Sequence, residues 1–198
     1  RLGEDYIPIS FSSSGSATGP LAFVGYGAVA EKLHYDDYQH FDVEGKIVVL
    51  IRYEPKHFSE NNDNGHHTHH AHLITKAIEA RNRGAKAVLL VNGNLENDTE
   101  DLLLKFGAVS GPDDAGILVA QIKNELVDGW LQARGETLAS IQATIDSRRK
   151  PNSFSFRKSL QVSVEIDISR EKTKVHNVVG YLPGKSTEYV VLGAHYDH

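Results

Sequence analysis

The sequence predicts an α/β fold, and three observations carry that prediction. Three short apolar, β-branched runs, KIVVLIRY (46–53), AKAVLLV (85–91) and GILVAQI (116–122), have the character of strands buried on both faces. Between the first two, Leu73, Ile74, Ala77 and Ile78 recur at helical spacing and form one apolar stripe. After RRKPNS (148–153) the period switches to two, with Leu160, Val162, Val164, Ile166 and Ile168 alternating with polar residues along a half-exposed strand.

Taken in order, residues 6–11 form a short strand, and the Ser/Gly run SSSGSATG (12–19) reads as a flexible crossing. LAFVGYG (21–27) is a strand that ends in glycines. Residues 54–65 are polar and loop-like. The helix predicted over 71–83 stops at Gly84, because glycine adopts the left-handed conformation that closes a helix. Strand, helix and strand together make one unit with ordinary loop lengths. A second helix carries Leu126, Val127, Trp130 and Leu131 and closes at Gly135. Thr137 N-caps a third, bearing Leu138, Ile141 and Ile145. Pro151 then rules out continued helix. NVVGYL (177–182) and YVVLGA (189–194) are two further predicted strands, joined across Pro183-Gly184.

Composition narrows the function classes. The 198 residues are 40% hydrophobic and 24% charged, ordinary for a globular domain. A formal charge of −5 argues against a nucleic-acid partner, which would require a basic face. No apolar run approaches the ~20 residues of a membrane span. With no cysteine there is no disulfide, thiolate nucleophile or cysteine zinc site. RLGEDYIPIS has neither an initiator Met nor a signal-peptide core, so the sequence is expected to be a piece of something larger.

Three constellations could carry chemistry. Gly25-x-Gly27-x-x-Ala30 matches the dinucleotide fingerprint, in which glycines let a pyrophosphate sit on a helix N-terminus. That motif needs a helix next, and EKLHYDDYQHFDVEG (31–45) is aromatic, acidic and weakly periodic, so a glycine-rich strand end is the expected reading. GHHTHHAH (65–72) holds five of the eleven histidines. On a helical turn His66 faces His70 and His69 faces His72, making these candidate weak or adventitious ligands for zinc, nickel or copper. The expectation is a solvated helix entry in which these four and His67 are mostly exposed. Finally, His195 and Asp197 project to the same side if the strand before them persists, at the carboxyl end of an apolar run where open α/β sheets place their sites.

NVVGYLPG (177–184) followed by YVVLGAHYDH (189–198) resembles the start of the catalytic domain of co-catalytic zinc aminopeptidases, of the bacterial leucyl aminopeptidase and glutamate carboxypeptidase type. YDDYQHFDVEGKIVVLIR (35–52), with KAIEARNRGAKAVLLVN (76–92), resembles the protease-associated (PA) domain often inserted in such enzymes. The resemblance implies a PA-type β-core with flanking helices over 12–150. It further implies an edge strand of the peptidase domain at 1–11 and the first strands of a zinc-peptidase α/β sheet over 151–198. It makes His195 the first zinc ligand and Asp197 the carboxylate that orients its ring; His198 has no assured role. The bridging carboxylate, general base and remaining ligands of the two zinc ions would come later, so this chain by itself is expected not to hydrolyse peptides. The implied whole is a secreted or periplasmic aminopeptidase acting on N-terminal peptide bonds, with a protein partner available to the PA domain. A stand-alone PA-like protein or peptide-binding module is the alternative, and a nucleotide-dependent oxidoreductase resting on Gly25 and Gly27 is a third reading.

Overall fold

Strands form within the three apolar runs 46–53, 85–91 and 116–122. The computed structural model describes residues 1–60, 66–94, 100–171, 173–174, 176–185 and 187–194, which divide into two units, Arg1–Ile168 and Ser169–His198. The first unit runs β1 (Tyr6–Pro8), β2 (Gly15–Phe23), β3 (Val29–Ala30), β4 (Tyr35–Asp36), β5 (Ile47–Ile51) and α1 (Lys56–Ser59). It continues with α2 (Leu73–Asn82), β6 (Ala87–Val91), β7 (Leu118–Ile122), α3 (Asn124–Leu131), α4 (Leu138–Arg148), β8 (Phe154–Ser155) and β9 (Gln161–Ile166). Among the described residues one mixed sheet has the order β1-β7-β6-β5-β2-β8, with β9 also paired to β2; β3 and β4 form a small separate hairpin.

The three runs β5, β6 and β7 pair in parallel, with Val49, Leu89 and Ala120 in register, and every residue of each is buried. Alternation sends their side chains to opposite faces. Ile47, Val49 and Ile51 pack in the layer under α3 and α4, where Val127, Leu131, Leu138, Ile141 and Ile145 close the core. Val48 and Leu50 pack on the other face with Ala77 and Ala80 of α2. The mixed α/β class and the β5–α2–β6 crossover are as the sequence predicts.

Four local readings are corrected. Residues 15–19 are no crossing: Gly15 to Pro20 pair antiparallel with Ile166 to Gln161 as the first half of β2. The ladder comes from a strand distant in sequence, which local composition does not reveal. The first strand is shorter than read and stops at Pro8. Helix α2 begins at Leu73 and buries Lys76, Ala77 and Ala80, whereas Leu73, Ile74 and Ile78 are only half-buried. Small alanines let the helix approach the sheet closely. In the second unit, 177–182 and 189–194 form no strand among the described residues. Val179, Leu182, Val190 and Leu192 are each 85–93% exposed. A lone apolar run has no partner to complete its ladder, and β-propensity alone does not make a strand.

Residues 6–8, 154–155 and 161–166, which the family resemblance put outside the PA body, pair here with β7 and β2 of that body.

The α4 start is a capping box: Thr137 Oγ1 accepts from the Ser140 N–H, and Ser140 Oγ accepts from the Thr137 N–H. Thr137→Ala is expected to lower the unfolding free energy by about 1 kcal/mol, read as a urea midpoint shift at unchanged slope.

Candidate functional site

The glycine motif does cradle an anion, and the anion belongs to the protein. The Asp37 carboxylate accepts hydrogen bonds from the backbone N–H groups of Tyr26 and Ala28, both at 3.0 Å, and from the Tyr35 hydroxyl at 2.8 Å. Gly25 has φ +49°, and a Cβ there would lie 2.4 Å from Asp37 Oδ1, so only glycine fits. The stretch that follows forms one 3-10 turn, Glu31–Leu33, and the β3–β4 hairpin rather than a helix. Gly25 thus serves an internal carboxylate, whereas a Cβ at Gly27 would lie 2.8 Å from the Leu50 side chain.

Lys76 joins this centre from α2. It is fully buried, and its ammonium donates to the Tyr26 carbonyl and lies 5.7 Å from the Tyr26 ring centroid. Burial pushes the Asp37 carboxyl up and the Lys76 ammonium down, while each group's field favours the other's charge. Burial, with Asp37 beside it, also raises the Tyr35 phenol. Sequence reading missed both residues. Lys76 had a visible signal, since it lies on the same helical face as Leu73 and Ala80; Asp37 had none beyond its proximity to the glycines.

The carboxyl end of β5 holds a second cluster. Tyr53 is a bulky residue at φ +64°, a conformation costing on the order of 1–3 kcal/mol. Its ring stacks on His67 at 4.9 Å. Glu54, 4% exposed, accepts from the Thr68 N–H at 2.8 Å and from the Thr68 hydroxyl, and its Oε1 lies 3.6 Å from His67 Nδ1. Thr68 also caps the short turn His69–Ala71. The histidine run is therefore anchored through a buried carboxylate that the sequence reading left in a loop.

Within that run His66, His67, His69 and His72 are exposed and His70 is half-buried against Phe58, with ring centroids 5.4 Å apart. The turn ends before α2 begins at Leu73, so the continuous helical face that would pair His66 with His70 and His69 with His72 does not form. His69 and His70 instead lie ring against ring at 3.8 Å. No group of three or more His, Asp or Glu side chains able to hold a metal is found among the described residues. His195 and Asp197, which carry the zinc expectation, lie outside the described residues.

The ends of β6 and β7 are tied by a third polar set. Asn92 donates to Asp101 at 2.6 Å and to the Leu102 carbonyl at 2.8 Å, and accepts from Gln121 at 3.0 Å. Asp101 caps α3 by accepting from the Asn124 N–H at 2.7 Å. These side chains answer one another and hold the 100–104 segment on the sheet.

The PA domain model matches residues 17–129, more than half of the sequence, and the chain belongs to the PA domain family. No curated protein matches it. Similar solved structures include the aminopeptidase from Aneurinibacillus sp. strain AM-1, at 22% identity and a TM-score of 0.41, over 68% of this chain and 26% of that one. BSAP, a zinc aminopeptidase from Bacillus subtilis, is similar at 22% identity and a TM-score of 0.41, over 80% of this chain and 29% of that one. The chain spans less than a third of either protein. Among the described residues no helix is long and apolar enough to cross a membrane.

Removing the Asp37 carboxylate would strand two loop N–H groups and take from Lys76 the stronger of the two negative fields, of Asp37 and Glu54, that favour its charge. Asp37→Ala is expected to cost about 3–5 kcal/mol in urea unfolding, and Asp37→Asn distinctly less because its amide oxygen still accepts.

Burial lowers the His57 and His70 imidazoles below 6.5, helped by Arg149 and His69 respectively. A depressed folded value gives stability that is fully present above 6.5 and is lost as the pH falls, because the unfolded chain takes up protons first. Between about pH 7 and pH 5 the wild type should therefore lose more unfolding free energy than His57→Gln/His70→Gln. Asp37 is common to both proteins and cancels in that comparison.

Proposed function

We propose that these residues are the PA-domain portion of a zinc-dependent aminopeptidase that cleaves N-terminal peptide bonds. One observation carries the proposal: in a single sequence, a PA body precedes an apolar run that leads into His195-Tyr196-Asp197-His198. The proposal keeps 12–150 as the PA body, with 1–11 and 151–198 as its flanks, and assigns the protein to a secreted or periplasmic setting.

In this reading His195 holds a zinc ion, and the Asp197 carboxylate takes the ring N–H, which fixes the tautomer and raises ligand basicity. When bound, zinc supplies Lewis acidity and an activated water. One imidazole does not make a catalytic zinc site, which takes about three protein ligands and an open position. The reading therefore draws its remaining ligands and its general base from residues outside these 198, and makes this segment non-catalytic by itself. The PA body contributes binding surface rather than reacting groups.

The test compares the 198-residue chain with the longer gene product, using a chromogenic aminoacyl amide and counting bound zinc after dialysis. The short chain should show no turnover and hold less than stoichiometric zinc. The long one should turn over, lose activity with His195→Ala and lose about 10–100-fold in activity or metal affinity with Asp197→Asn. Turnover by the short chain, or a long protein indifferent to His195, would overturn the reading.

A further inference from the structure

The sheet face that carries α3 and α4 is not covered to its end. Between α3 and β9 lies a groove of about 520 Å³, within the size range of peptide and small-molecule sites. Its floor is Leu89, Ala120 and Ile122, each about 5% exposed, and Leu126 and the half-buried Trp130 form one wall. Tyr6 and Leu2, 43% and 67% exposed, stand at its mouth. The histidine run, the Asp37 centre and the β5 end contribute nothing to its lining.

The opposite wall is a strand seen edge-on. All of residues 162–167 line the groove, including both the core-facing Val162, Val164 and Ile166 and the outward-facing Ser163 and Glu165. A strand that presented one face would contribute only alternate residues. Among the described residues β9 pairs only with β2, and in such an antiparallel ladder every second residue turns its N–H and C=O away from its partner. Those main-chain groups belong to residues that line the groove. Its charged lining residues, Glu165 and Asp167, are both carboxylates, beside an otherwise mainly apolar surface.

We propose that this groove binds an extended peptide segment by strand addition along the free edge of β9. Alternate apolar side chains of the peptide rest on Leu89, Ala120 and Ile122, and a cationic group, a Lys or Arg side chain or a free N-terminal ammonium, lies against Glu165 and Asp167. Main-chain hydrogen bonds supply affinity independent of sequence, while the floor and the two carboxylates supply preference. The proposal deepens the role given above to the PA body, but it depends on neither zinc nor turnover, so its failure and the failure of the peptidase reading are separable.

Trp130 is the single tryptophan of the sequence and lines the groove, so its emission reports occupancy directly. The probe is a synthetic octapeptide of two lysines followed by alternating valine and threonine, titrated into the full 198-residue chain. A saturable blue shift with a Kd on the order of 10 μM is expected. Only alternate residues of an added strand donate to the edge, so N-methylation of the threonines and N-methylation of the valines are compared, and one of the two should weaken binding at least about tenfold while the other does not. The double variant Glu165→Lys/Asp167→Lys alters outward-facing positions, and should instead prefer a peptide with glutamates in place of the lysines. The proposal is overturned by the absence of any saturable shift up to about 1 mM, by equal binding of both N-methylated peptides, or by an unchanged preference in the charge-reversed variant. A shift that follows protein concentration, with dimer seen in sedimentation, would assign the groove to a second copy and also overturn it.

Discussion

The Asp37 carboxylate is the constraint on which the upper half of the PA body depends. β2 must leave the sheet at Phe23 and return as the β3–β4 hairpin within a dozen residues, which leaves the N–H groups of Tyr26 and Ala28 facing inward with no ladder to satisfy them. Asp37 accepts from both and from the Tyr35 hydroxyl. Its own N–H donates to the Ala28 carbonyl. One side chain thereby closes the accounts of the loop and the hairpin together, which is why Gly25 has no room for a Cβ.

A buried carboxylate needs compensation, and Lys76 supplies it from the other side of the loop. An ammonium with no exposed surface would be strongly destabilising without the Tyr26 carbonyl and the negative field of Asp37 and Glu54. The helix is thus held by more than its alanines. Ala77 and Ala80 set how closely α2 approaches Val48 and Leu50, and Lys76 fixes its rotation about its own axis. The His69–Ala71 turn just before α2 is fixed in turn by Thr68, whose N–H and hydroxyl end on Glu54. The histidine run is held through the same polar spine.

What was legible in the sequence was what local pattern decides. β5, β6 and β7 stand where their apolar runs predict because a parallel strand buried on both faces is written almost wholly in its own residues. Thr137 and Gly135 mark helix ends because capping is a contact of a few residues. Residues 15–19 were misread because glycine and serine form a strand only when a distant partner completes it, here residues 161–166. Asp37 and Glu54 escaped because the Tyr26 and Ala28 N–H groups and Thr68 reach them only once the chain has folded, whereas Lys76 could have been read from its place on the face of Leu73 and Ala80. The tail apolar runs err in the opposite direction, since their strand propensity is plain and no partner is paired to them among the described residues.

The two faces of the sheet divide the labour of the domain. One side is closely packed: α2 buries Lys76, Ala77 and Ala80 against the sheet, and the Asp37 and Lys76 side chains are both engaged by the glycine loop. A group so engaged is poorly placed to bind anything else, because a ligand would have to displace a bond already made in a low-dielectric interior. The other face ends before it is closed. α3 and α4 cover Ile47, Val49 and Ile51 but not the β1 side of the sheet, and β9 peels away to pair with the outer half of β2. The groove is a consequence of that geometry, since the strand that extends β2 beyond the sheet cannot also lie against β1. Recognition by this fold therefore falls to an apolar floor and a strand edge, surfaces that take main chain, rather than to any converging set of reactive side chains.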